Sequence, residues 1–171
     1  MGEAESLIRV WQETKLFRVI YIFSGPRRAE DVADWIQQLC SAAGCTDVAV
    51  DHYDILLDLV AHNLLDSKVQ MSVLSKIQTG EYHAGLASPL CSSWSRLLFA
   101  PHGPPPIHNL SHPWGFPWLK NTLAQKAHDG NELVKFTIQF CHTLHQQLAV
   151  FLIEHPEDLG ATSNGDLPAS I

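Results

Sequence analysis

The chain has 171 residues, 46% of them hydrophobic and 17% charged. That is enough for one domain with its own core and too little for two comfortable ones, and the composition excludes a disordered or fibrous chain. With 18 acids against 11 bases the net charge is −7, which excludes a surface coated for nucleic acid while leaving room for a local basic patch.

The first stretch, "MGEAESLIRVWQE", carries acids where a secretory signal needs a basic start and a long apolar segment. The expectation is an intracellular protein, cytoplasmic or nuclear. Gly2 and Ser6 make only a bare match to a myristoylation pattern, with no polybasic support. No apolar run approaches the roughly 18 residues of a membrane span, so no membrane partner is expected. Leu7, Ile8 and Trp11 share one side of a short amphipathic helix predicted over 4–14. "LFRVIYIFSG", residues 16–25, is β-branched and aromatic and runs into a Ser-Gly-Pro turn, the pattern of a buried strand and its loop.

In "RRAEDVADWIQQLCSAAG" the apolar residues Val32, Trp35, Ile36 and Leu39 recur at helix spacing, and Gly44 supplies the stop. "DVAVDHYD" reads as a second strand with the acids Asp51 and Asp54 toward its end. Residues 55–65 are leucine-rich and fit helix or strand. A helix is predicted over 67–77, then a glycine turn and a third strand in "TGEYHAGLAS". Six prolines between Pro101 and Pro117 forbid regular structure, and the Trp and Phe content there favours a packed flap. A helix around 131–147 and a strand in "LAVFLIEHP" follow.

Strands alternating with helices imply an α/β fold: a three-layer sandwich with a mostly parallel, Rossmann-like sheet of four or five strands and helices on both faces. One domain is expected over 1–160, with 161–171 a flexible tail. Ligands of such sheets bind beyond the carboxyl ends of the strands. "FSGP", Asp51, "SPLCSSWS" and Glu154 all fall at predicted strand ends and would share that rim.

Those residues carry a resemblance. The chain resembles the catalytic part of cytosine-5 DNA methyltransferases, Rossmann-like enzymes that use S-adenosylmethionine, over roughly residues 16–160. "ASPLCSSWS" is similar to the family's Gly-Gly-Pro-Pro-Cys-Gln-x-Phe-Ser motif, keeping Pro89, Cys91 and Ser95, with Trp94 in the aromatic position. "EHP", Glu154 to Pro156, is similar to its Glu-Asn-Val or Glu-Asn-Pro motif, and "FSGP", Phe23 to Pro26, to its Phe-x-Gly-x-Gly turn.

The resemblance implies that Cys91 adds to carbon 6 of cytosine and that Glu154 stabilises the activated ring beside nitrogen 3. S-adenosylmethionine is then the cofactor, held by Phe23, Ser24, Gly25, Asp51, Asp66 and Pro89. The substrate is DNA with the target base flipped out, met by Ser95, Arg96 and Trp114 within a loop spanning 96–120. Between Leu86 and Lys120 there is no acid at all, and Trp114, Phe116 and Trp118 are available for stacking on bases.

Departures from the motifs keep a second reading open. Leu90 and Ser92 flank Cys91 where the family has proline and glutamine, and the turn after the first strand has only Gly25. The family's later arginine-rich motif and target-recognition part have no counterpart after "EHPEDLG". The alternative is a non-catalytic module of the same fold that binds a partner through the Pro/Trp-rich loop 101–118. On that reading Cys91 is a buried thiol at a strand end. Cys40, Cys45, Cys91 and Cys141, and the histidines at 102, 108, 112, 142 and 145, match no zinc spacing, so no metal is expected.

Overall fold

The computed structural model describes residues 16–90, 92, 94, 98 and 104–155. The helix predicted over 4–14, the tail 161–171, and Cys91, Ser95 and Arg96 lie outside the described residues. The chain divides into two compact units, Met1–Ser88 with Thr137–Ile153, and Pro89–Phe136 with Glu154–Ile171.

The first unit is an α/β fold. Strands β1 (Leu16–Ile22), β2 (Asp47–Tyr53), β3 (Ala84–Ala87) and β4 (Val150–Ile153) form one all-parallel sheet in the order β2-β1-β3-β4. Helix α1 (Val32–Ala42) connects β1 to β2 and helix α2 (Ser67–Gln78) connects β2 to β3. Val19, Ile20 and Ile22 of β1 are buried on both faces, as a near-continuous β-branched run in a central strand should be.

Register assigns the faces. Ile20 pairs with Asp51 and Gly85, and Ile22 with Tyr53 and Ala87, so these share one face. That face meets α2, whose Lys76 donates to the Tyr53 hydroxyl at 3.0 Å. It also meets the second half of α3 (Asn121–Gln146), where Phe140 and Leu144 cover Gly85. Tyr21 and His52, paired in register, point to the opposite face, where α1 lies. Helices on both faces make three layers, as the alternation of elements implies.

α1 starts where expected because Asp31 caps it, accepting the Asp34 N–H at 3.1 Å, and Gly44 ends it at φ 91°. α3 differs from expectation: it begins ten residues earlier than position 131, at Asn121, and runs through Gly130. A glycine inside a helix costs only about 1 kcal/mol, and the buried side chains Ala127, Leu133 and Val134 on either side of it outweigh that. Residues 55–65, open between helix and strand, form successive turns.

In the second unit residues 104–120 contain neither helix nor strand, only an isolated bridge between Asn109 and His112. Ile107 and His108 are each 2% exposed, and the His108 imidazole stacks on Trp94 at 4.2 Å between ring centres. Trp94 packs with Val134 of α3. Ile107 and His108 thus anchor the described part of the proline-rich loop.

Candidate functional site at the carboxyl end of the sheet

With the order β2-β1-β3-β4, the connections from β1 and β3 leave in opposite directions. The carboxyl ends of β1 and β3 therefore flank a topological switch point, the place where open α/β sheets take ligands. β1 leads there into Phe23, Ser24 and Gly25, with φ of 59° at Phe23 and 67° at Gly25. Left-handed backbone is cheap for glycine and strained for phenylalanine, and the turn is held from outside. The Phe23 N–H donates to the Tyr53 carbonyl at 2.7 Å, and the Gly25 N–H to the Asp54 carboxylate at 2.9 Å. Across the switch point, the Tyr21 and Ser88 hydroxyls lie 3.1 Å apart.

Beside this turn is a cavity of about 360 Å³ between the sheet and the start of α1, with walls that include Tyr21, Ser24, Arg28, Asp31, Trp35 and His52. Arg27 braces it. Its guanidinium donates to Asp31 at 2.6 Å and Asp34 at 2.5 Å, with a third nitrogen 3.2 Å from His52 Nε2. Burial raises the Asp31 carboxyl, but the N–H groups of Asp34 and Arg28 and the Arg27 charge outweigh it and hold it below its ordinary value. Burial, then the Arg27 charge, pushes His52 below the usual imidazole range. At neutral pH the cavity's walls present a neutral imidazole, the acids Glu30 and Asp31, a guanidinium, the hydroxyls of Ser24 and Tyr21 and two large aromatic rings. That donor and acceptor set suits a small polar molecule with a planar ring and ionised groups, in a space of ordinary ligand size.

Phe23, Ser24 and Gly25 form the turn at this cavity, and Ser24 lines it. Asp51 is elsewhere: its register puts it on the opposite face, where its carboxylate takes the Tyr82 hydroxyl at 2.6 Å. The acid at the end of β2 is Asp54, tied to Gly25. Asp66 caps α2, accepting the Lys68 N–H at 2.8 Å. Pro89 is buried directly after β3 and its flanking Ser88, and Glu154 is exposed directly after β4. Trp114 is 54% exposed in the second unit.

Sequence reasoning passed over Tyr21 and His52, read Trp35 only as part of a helix face and Asp54 only as a second acid at the end of its strand, and weighed Arg28 as a base at a helix start that suits an anion without placing it in the site. One signal was available. In a strand of period two, Asp51 and His52 face opposite ways, so a single inward reading cannot hold for both.

The described cysteines are free thiols. Cys141 is buried, with burial pushing its thiol up to about 11, and Cys40 and Cys45 are half-buried. Among the described residues no group of three His, Cys, Asp or Glu is placed to hold a metal, and no helix is long and apolar enough to cross a membrane. No protein-family model, no curated protein and no solved structure matches the chain.

Proposed function

We propose that this chain is an S-adenosylmethionine-dependent methyltransferase-type domain related to cytosine-5 DNA methyltransferases. The observation that carries the reading is the cavity beside the Phe23–Gly25 turn, between the carboxyl-terminal parts of β1 and β2 and the start of α1 in a parallel sheet. Its walls fit the cofactor's parts. Tyr21, Trp35 and His52 offer faces to an adenine ring, Ser24 and Asp31 offer partners to ribose hydroxyls, and Arg28 offers a cation to the carboxylate. Bound there, S-adenosylmethionine supplies an electrophilic methyl group.

The chain's own part is to activate the base. The Cys91 thiolate adds to carbon 6 of cytosine, which makes carbon 5 a nucleophile. The Glu154 carboxyl, beside ring nitrogen 3, stabilises the charge that develops. Support for these roles is the order of motifs along the chain, with Pro89 and Glu154 immediately beyond β3 and β4.

Calorimetric titration of the full chain with S-adenosylmethionine, with S-adenosylhomocysteine as the check, tests the reading. Saturable heat that falls at least tenfold in affinity in Arg28→Ala, together with methyl transfer abolished by Cys91→Ser, is the expected result. No heat up to millimolar cofactor overturns it, and the same fold without turnover, binding a partner through 101–118, then stands in its place.

A further inference from the structure

We propose that residues 109–120, seated on the first half of α3, form a rigid stacking platform for unpaired bases of a single-stranded nucleic acid. The proposal shares with the methyltransferase reading a nucleic-acid partner and the loop that carries Trp114; it requires neither the cofactor nor Cys91.

The rings are already arranged as a stack. Phe116 and Trp118 lie 4.7 Å apart between centres with 8° between their planes. His112 meets both, at 5.5 Å and 5.6 Å, and closes one side of the group. Trp118 is nevertheless 64% exposed, so an indole face held by its neighbours is turned to water. Trp114 is 54% exposed as well, with the Lys135 ammonium 5.7 Å from its ring centre. Two large indoles left in water are costly unless a partner covers them, and a base is a flat π-surface that can continue such a stack.

The platform is held before any partner arrives. The side-chain amide of Asn131, itself buried, donates to the Trp114 carbonyl at 2.8 Å. The Phe116 N–H donates to the Ile107 carbonyl at 3.0 Å. Gly115 has φ of 108°, and a Cβ there would meet the Ala127 side chain at 3.2 Å, so the loop lies tight on α3. Rings fixed in this way lose little freedom on binding.

Charge chooses the partner. The chain carries −7 overall, yet no Asp or Glu occurs from Tyr82 through His128. Lys120 ends the loop and Lys126 follows on the first turns of α3, while Lys135, 5.7 Å from the Trp114 ring centre, is ion-paired with Glu132 at 2.7 Å. A loop that carries no acid of its own and ends in Lys120, with exposed indoles, fits a polyanion that shows its base faces. A duplex hides those faces in its own stack, whereas a single strand presents them.

The test is fluorescence anisotropy of the full chain with a labelled oligothymidine of about twenty nucleotides, alone and annealed to its complement, at low salt and without cofactor. Saturable binding of the single strand at least fivefold tighter than the duplex is expected. Trp118→Ala should weaken it by about 5- to 100-fold, with the thermal melt unchanged, and Trp118→Phe should restore most of it. The proposal is overturned by no saturable binding, by equal affinity for duplex, by an unaffected Trp118→Ala, or by tighter binding of a proline-rich peptide, which would mark a protein-docking surface. Because cofactor heat and methyl transfer are read separately, failure of the methyltransferase reading leaves this result standing, and the reverse.

Discussion

The Gly25 backbone N–H donates to the Asp54 carboxylate at 2.9 Å, which ties the turn that ends the central strand to the end of the strand beside it. The same carboxylate takes the Leu56 N–H at 2.8 Å. Asp54→Ala removes an ionised acceptor from two part-buried or turn donors and should destabilise the fold by about 1–2 kcal/mol. Urea unfolding measures that, and cofactor affinity should fall further than the stability loss explains, because the turn shapes the cavity. Unchanged affinity in the folded variant would remove the turn from the site.

Gly85 has a different constraint. A Cβ at this position would run into Leu144 Cδ1 and lie 2.9 Å from Phe140 Cζ, and both side chains are fully buried. Gly85→Ala should therefore cost about 1–3 kcal/mol through overpacking, and Gly85→Val more. A denaturant midpoint equal to that of the unaltered chain would mean that α3 can move off β3.

Three histidines make stability sensitive to mild acid. Burial pushes His108 below the ordinary imidazole range, partly offset by the Pro113 carbonyl. Burial does the same for His83, whose Nδ1 accepts the Arg18 N–H at 3.0 Å, and for His52. A folded-state value below the unfolded one means that the unfolded chain takes up protons first. Their contribution is complete above about pH 6.5 and is lost as the pH falls below it, until the folded groups protonate too. His108→Phe keeps a ring on Trp94 and should flatten part of this slope. A melting temperature independent of pH between about 7 and 5 would contradict the assignment.

Thiol reactivity separates the roles of the cysteines. Cys141 is 6% exposed, with its thiol pushed up to about 11 by burial, so it should resist iodoacetamide in the folded protein. A nucleophilic Cys91 should label fastest at neutral pH. Peptide mapping over a time course checks both, and Cys91 labelling no faster than Cys141 would reduce it to a packed thiol.

Arg27 braces the cavity from an exposed position, with ion pairs to Asp31 and Asp34 at the surface. Solvent screens such pairs, so Arg27→Gln should cost under about 1 kcal/mol of stability. Its effect on ligand affinity should be larger, because it sets where Asp31 and His52 stand. A large stability loss with unaltered binding would reverse that order.

The sequence by itself determined the elements and the class of fold. β1, β2 and β3, α1 and α2 lie within a few residues of where β-branched runs, helix-period spacing, Asp31 and Gly44 put them, because those signals act between neighbours in the chain. Alternation of strand and helix also implied the parallel sheet. Only tertiary structure decided the start of α3, where packing of Ala127 and Val134 carries the helix through Gly130. It also decided which acid serves the turn. Asp51 and Asp54 are equivalent in composition and differ by three residues, yet pairing of Asp51 with Ile20 sends its carboxylate to Tyr82, while Asp54 stands at the strand's end and reaches Gly25. The cavity joins residues from β1, its turn, α1 and β2, and the platform joins loop rings to Asn131 on α3. Such sites are set by register and by contacts across long stretches of chain, and no local spacing encodes those.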